Sequence, residues 1–514
     1  MTSRLTPPAS DSTPASLPPF VVLQQSLKEQ FERAFPDPLA PKTVIVLPSL
    51  TLDQEILKKL EGHIHYEERM LSMLMLLRMP RTQVIFLSSM PIDPVIVDYY
   101  LHLLPGITGW HARKRLVMLS CFDASAQSLT EKILARPRFI ETIKRHIPTD
   151  HAVHLAAYNV TQQERTLAEV LHVPLYGCDP ALSYLGTKSG SRAVFQEVGI
   201  PMPAGYENLH DELEIAEALT ALKQANRSLR KAVVKLNDGF SGEGNAVFSY
   251  KGAPEKGLCK WVKAQLPKRL RMIAPELSYE VFMQKFVEMG GIVEAFLEGA
   301  IKTSPSVQCR ITPTGKAEVI STHDQVLGGE SGQVFLGASF PAHAQYRQAI
   351  GQMGLAVAQQ LADYGVMGRF SVDFVSVLQQ KQWKHYGIEI NLRKGGTTHP
   401  YLMLQFLTDG QYNVDTGDYL TPTGQKRYYF ATDNLKNPAY KQLTPYDLMD
   451  LSICQGLHYD GVTQEGVMFH LMGALSEFGK IGVVCIGKTP ERATEIYQKT
   501  VRLLDEATHT ITEC

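Results

Sequence analysis

Two short runs restrict what this chain can fold into more than any other feature: GRFSVDFV at residues 368–375 and YGIEINLR at residues 386–393. Phe370, Val372 and Phe374 alternate with Arg369, Ser371 and Asp373, and Ile388, Ile390 and Leu392 with Glu389, Asn391 and Arg393. A strand sends successive side chains to opposite faces, so each run predicts one buried face and one polar face. Two such strands side by side gather Asp373, Glu389 and Asn391 into a cluster of oxygen ligands. Just before them, residues 351–364 place Met353, Val357 and Leu361 on one helical stripe, with Gly365 as the C-cap.

The chain of 514 residues is too long for one hydrophobic core, so two or three domains are expected. An apolar fraction of 44% and a charged fraction of 20% exclude wholesale disorder and collagen-like repetition. A net charge of −1 gives no global attraction to nucleic acid or an anionic membrane. The seven cysteines show no CxxC pairing, which points to reduced thiols and a cytoplasmic setting rather than a zinc site or disulfide framework. The N-terminus lacks an export signal, and the most apolar helix candidate, residues 70–77, is flanked by Glu67, Glu68, Arg69 and Arg78, so no membrane span is expected.

Residues 1–40 read as a flexible Pro/Ser-rich tail and a leading helix. Over residues 41–180, β-rich runs (TVIVLPS, TQVIFLSS, RLVMLS, AVHLAAY) alternate with helical ones, the pattern of an α/β layer on a mostly parallel sheet. Residues 181–417 mix helices, strands and glycine-rich turns in an α+β pattern. Residues 418–514 return to α/β material, with the strand IGVVCIG and a helix opening at Pro490. This last part can close a site or form a homo-oligomer interface.

Magnesium favours carboxylate, carbonyl and phosphate oxygens, so the Asp373, Glu389 and Asn391 cluster suits a magnesium nucleotide. Arg393, on the same face, can hold a phosphoryl oxygen or a developing oxyanion. Upstream, KAVVKLNDGFSGEGNAVF sets Lys235 on a strand before Gly239, Gly242 and Gly244, where backbone amides can approach phosphates. A plain glycine-rich hairpin is the competing reading, since this is neither a Walker A sequence nor a GxGxxG fingerprint. Lys188 opens a helix, a good place for a cation to reach phosphate. The run EVFMQKFVE can supply an extended segment whose backbone reads adenine, with Gln284 and Val287 as contacts; an amphipathic strand explains it as well.

In identity and order, Lys188, Lys235 with its glycines, QKFV, Asp373 and EINLR resemble the ATP-grasp superfamily. Within it the chain is similar to pheganomycin-type peptide ligases with a pre-ATP-grasp domain. HYEER, FDAS, LTEKILARP, NVTQQERTLAEVL, LGTKSGSR, STHDQVLGGESGQVFLGASFP and EINLRKGGTTHPY carry that narrower likeness from about residue 42 onward. The resemblance implies a Rossmann-like pre-ATP-grasp domain, an ATP-grasp fold and a small C-terminal α/β domain. It also implies Lys188 and Lys235 at the phosphates of ATP, Gln284, Lys285 and Val287 at adenine, and Glu294 at ribose or substrate. Asp373, Glu389 and Asn391 would hold two magnesium ions, with Arg393 and Lys235 assisting transfer.

The implied reaction joins a small carboxylic acid and an amine, an amino acid or peptide, through an acylphosphate, releasing ADP and phosphate. Arg310, His323, Gln325, Thr397, Thr398 and His399 are the candidates for substrate contact, Arg310 by clamping a carboxylate. A phosphotransferase on the same nucleotide fold, or a nucleotide-binding regulatory protein without turnover, are the competing functions.

Overall fold

The β-rich runs of the N-terminal part form four parallel strands, Lys42–Leu47, Thr82–Ser88, Leu116–Ser120 and Ala152–Ala157, in the spatial order third, second, first, fourth. The first strand is buried along its whole length, as a central strand covered on both faces must be. Helices Pro19–Ala34, Leu129–Leu134, Pro137–Arg145 and Gln162–Leu171 cover one face, and the helical segments His63–Arg78 and Pro94–His102 the other. The structure is a computed structural model and describes residues 19–51, 62–239, 244–274, 277–328 and 334–512. The expected tail up to residue 18, and Gly242, lie outside the described residues. No described helix is long and apolar enough to cross a membrane.

The next unit is an antiparallel five-stranded sheet, ordered Gly205–Leu209, Gly291–Ala295, Lys231–Leu236, Asn245–Ser249, Leu270–Met272. Its core is completed by helices Glu212–Ala225, Leu258–Arg269 and Tyr279–Met289. The last of these corrects the extended segment expected for EVFMQKFVE. Phe282 and Phe286, four residues apart, both bury against the sheet, and Ser278 caps the helix by accepting from the Val281 amide. Four-residue spacing of the large apolar side chains, rather than two-residue alternation, decides for the helix.

A nine-stranded antiparallel sheet follows. Its order is Lys302–Thr303, Gly368–Gln379, Pro305–Ile311, Ala317–Gly328, Val334–Phe340, Tyr428–Lys436, Lys480–Gly487, Gly466–His470, with Gln382–Asn391 paired to Gly368–Gln379. Helices Lys188–Glu197 and Arg347–Asp363 pack on it through Val194, Phe195, Val357 and Leu361. The sheet runs across the boundary expected at residue 417, because Tyr428–Lys436 pairs directly with Val334–Phe340. The C-terminal strands also share one core with the parallel-sheet unit, in which Val467, Val483 and Val484 sit with Val44 and Phe86.

Helix Lys188–Glu197 begins where the segment Pro180–Gly186 turns into it. Thr187 caps the helix by accepting from the Gly190 amide at 3.0 Å. A Cβ on Gly190 would lie 1.9 Å from the Tyr184 carbonyl oxygen and 3.0 Å from the Leu185 Cα, so only glycine fits this backbone approach. Gly190→Ala is expected to cost about 1–3 kcal/mol, the range for forced overpacking, read as a lower denaturant midpoint.

Candidate functional site

A cavity of about 1000 Å³ lies between the five- and nine-stranded sheets. Lys231, Val233, Lys235, Asn245, Val247 and Arg271 line it from the first; Ser306, Gln325, Phe335, Ser371, Asp373, Glu389 and Asn391 line it from the second. Of the polar face expected of the two alternating runs, Ser371, Asp373, Glu389, Asn391 and Arg393 line this wall and Arg369 does not. Asp373 and Glu389 are cross-strand partners in the register. The Asn391 amide nitrogen donates to both, at 3.0 Å to Asp373 and 3.1 Å to Glu389. Gln325 donates to the other Asp373 oxygen at 3.2 Å, and the Arg393 guanidinium donates to the Asn391 side-chain oxygen at 3.3 Å.

The register slips by one residue between Asp373 and Phe374, leaving Ile388 as the extra residue of a bulge. A bulge re-aims a side chain next to a site. Ile388 accordingly lines the cavity, while Ile390 is buried and Leu392 packs against the core; strict alternation had placed Ile388 inward with them.

Two lysines complete the wall. Lys188 reaches Glu389 at 2.5 Å and Lys235 reaches Glu294 at 2.5 Å, all lining the cavity. Arg192 lies 3.6 Å from the other Glu294 oxygen. The start of the Lys188 helix is tied to the loop after Lys235, because Ser189 donates through its amide and its hydroxyl to the Asn237 side-chain oxygen at 3.0 and 2.8 Å. Gly239 and Gly244, at the two ends of the glycine-rich loop, also line the cavity.

Burial and the neighbouring Glu389 charge hold the Asp373 carboxyl above its usual range. For Glu389 burial acts the same way, but the Lys188 contact, with Lys235 behind it, outweighs it and holds this carboxyl low. Glu389 therefore carries the charge and Asp373 gives way.

Several expected residues lie elsewhere. Gln284, Lys285 and Val287 sit on helix Tyr279–Met289 and do not line the cavity; Gln284 donates to Glu288 at 2.9 Å and Val287 is 61% exposed. The segment that does reach the cavity comes a few residues later. Ala295, Phe296 and Leu297 line it where the chain leaves the five-stranded sheet for the nine-stranded one. VEAFLEG carried this signal as a strand followed at once by a break. Arg310 sits opposite Arg369, at the far end of the strand from Ser306, and pairs with Glu318. His323 is fully buried, 2.6 Å from the Tyr429 hydroxyl, and burial pushes its imidazole down to about 3. His399 is buried against the Arg69 carbonyl at 2.8 Å, and burial pushes it down to about 4. Thr398 is buried and donates to Gln308 at 3.1 Å, whereas Thr397 lines the cavity.

Residues 180–262 and 275–415, which carry most of this wall, match the family model described as IQCH-like, ATP-grasp. The chain carries an ATP-grasp domain. Residues 453–500 match a second model, the PGM1 C-terminal domain. Over 486 residues the chain is 28% identical to L-propargylglycine–L-glutamate ligase of Streptantibioticus cattleyicolor, spanning 92% of this chain and 95% of that protein. It is 23% identical to IQ motif-containing protein H of Danio rerio, spanning 84% of this chain and 45% of that protein. Among solved structures, the biotin carboxylase domain of Hydrogenobacter thermophilus 2-oxoglutarate carboxylase, in complex with MgADP, shares the fold with a TM-score of 0.53. Its identity is 12%, over 89% of each chain.

The Lys188 contact in the ATP-grasp domain sets a stability test. A carboxyl held low stabilises the fold above its unfolded pKa, and that stabilisation is lost as pH falls through its folded value. Lys188→Met is therefore expected to lower the denaturant midpoint at neutral pH, with the deficit shrinking as acid protonates Glu389. Parallel urea titrations across that range check it.

Proposed function

We propose that the chain is an ATP-dependent ligase that joins a carboxylic acid to an amine through an acylphosphate. The observation that carries the reading is the single wall holding Asp373, Glu389, Asn391 and Arg393, with Lys188 and Lys235 beside it. The near full-length similarity to a C–N bond-forming ligase narrows nucleotide use to ligation.

In this reading Lys188 and Lys235 hold the phosphates of ATP, and residues 295–297 take the adenine in place of Gln284, Lys285 and Val287. The donor set fits magnesium: two carboxylates within hydrogen-bonding distance of one Asn391 nitrogen offer hard oxygens crowded enough to raise Asp373. Magnesium commonly binds through a few protein ligands together with phosphate oxygens. Magnesium bound at Asp373, Glu389 and Asn391 supplies charge neutralisation on the phosphates.

The substrate carboxylate attacks the γ-phosphorus, and ADP leaves with the electrons of the broken P–O bond. Arg393 holds the charge that develops on the transferred group. The amine then attacks the acyl carbon; phosphate leaves, the amine loses a proton, and an amide remains. No protein nucleophile is required, because orientation and fixed charges supply the acceleration.

An ADP-release screen over pairs of amino acids, small acids and peptides, with mass analysis of products, tests the reading. Release that depends on both an acid and an amine, together with a condensation product, is expected; a stable phosphorylated product would mark a phosphotransferase instead. Arg393→Ala is expected to lower kcat by roughly 10²–10³-fold, the scale for one lost transition-state donor, with the fold intact by circular dichroism. Lys235→Ala is expected to weaken ATP binding in equilibrium titrations.

A further inference from the structure

The cavity does not end at Arg393. Arg393, Gly395, Gly396 and Thr397 continue along its wall, and between them the Lys394 amide donates to the Tyr158 carbonyl at 3.1 Å, joining the ATP-grasp wall to the parallel-sheet unit. Beyond that junction the lining changes to Tyr66, Arg69, Tyr158, Asp433, Asn434 and Lys480. These come from the HYEER run, the end of a parallel strand and two C-terminal strands.

They form a connected polar set. Arg69 pairs with Asp433, donates to the Tyr158 hydroxyl at 3.3 Å and lies over the Tyr66 ring at 4.0 Å. Its Nε is buried without a hydrogen-bond partner among the described residues. Lys480 donates to the Tyr66 hydroxyl at 2.7 Å. Arg69 and Lys480 are each at least nine-tenths buried.

Backbone irregularity aims the acid. Between Tyr428–Lys436 and Lys480–Gly487 the register shifts between Thr432 and Leu435, so Asp433 and Asn434 sit at a bulge that turns them to the cavity.

Among the described residues that line this end, Arg69 and Lys480 are cations and Asp433 is the carboxylate, a surplus of one positive charge. Burying that surplus is costly, and a bound anion relieves it. The Asp433 carboxylate faces the same space, so a ligand with an anion and a cation close together complements Lys480, Arg69 and Asp433.

We propose that this end of the cavity binds a free α-amino acid, its carboxylate on Lys480 and Arg69 and its ammonium on Asp433. The proposal rests on the ligase reading for the amino acid's role. A donor acid must bring its carboxylate to Arg393 and the phosphates, whereas the amine partner keeps its carboxylate unreacted. The end lined by Arg69 and Lys480 therefore takes the amine partner, and residues 393–397 lie between it and the activated acid.

The test is calorimetric titration of the full chain with MgADP present, using the twenty L-amino acids and their α-amides. At least one amino acid is expected to bind, with its α-amide roughly ten-fold weaker, the effect of losing one hydrogen-bonded charge. Lys480→Met should abolish that discrimination and Lys480→Arg should keep it, both with MgADP affinity unchanged. Absence of any amino-acid binding, equal binding of acid and amide, discrimination surviving in Lys480→Met, or loss of MgADP binding in that variant would each overturn the proposal. Failure of the ligase reading shows separately, as ADP release independent of any acid and amine pair.

Discussion

Two carboxylates held by one amide nitrogen, Asp373 and Glu389 on Asn391, are the constraint on which the rest of this structure depends. Placed together in a partly buried wall, they cannot both stay charged without cations close by. Lys188 supplies one directly, and its position is set by the helix start, where Gly190 meets the Tyr184 carbonyl and Ser189 grips Asn237. The helix, the loop after Lys235 and the edge of the nine-stranded sheet are thereby fixed to one another around a charge balance. The same imbalance suits a divalent ion carrying phosphates.

A second buried charge cluster, around Arg69, lies on the same cavity. Its members are contributed by parts of the chain hundreds of residues apart, with Tyr66 and Lys480 separated by 414 positions. The shared core of the parallel-sheet unit and the C-terminal strands brings them together. That core gives the residues after 417 a place in the cavity wall, because their strands extend the ATP-grasp sheet instead of standing apart from it.

The parts of the fold and site that were legible in the sequence are those written in local periodicity. Alternation put Asp373, Glu389 and Asn391 on one face, and the run before Gly199 read as a helix that Lys188 opens. What escaped was decided by other physics. The run containing Gln284 has apolar residues that serve either a strand or a helix, and only the joint burial of Phe282 and Phe286 selects the helix. Ile388 turned because a bulge interrupts alternation, and the sequence carries no mark of it. Arg310, His323 and His399 have residue types suited to chemistry, yet a pairing with Glu318 and deep burial occupy them elsewhere. Asp433 and Lys480 reach the cavity through strand pairing, which no local pattern announces.

Transfer of the γ-phosphoryl group of ATP to a carboxylate is the step proposed for the wall shared by Asp373, Glu389 and Arg393. Turnover with a substrate acid labelled with oxygen-18 in its carboxylate measures this most directly. An acylphosphate passes one carboxylate oxygen to the departing phosphate, so labelled inorganic phosphate is expected, formed in step with ADP and amide. Unlabelled phosphate, or release of AMP and pyrophosphate with the label carried into AMP, would contradict it.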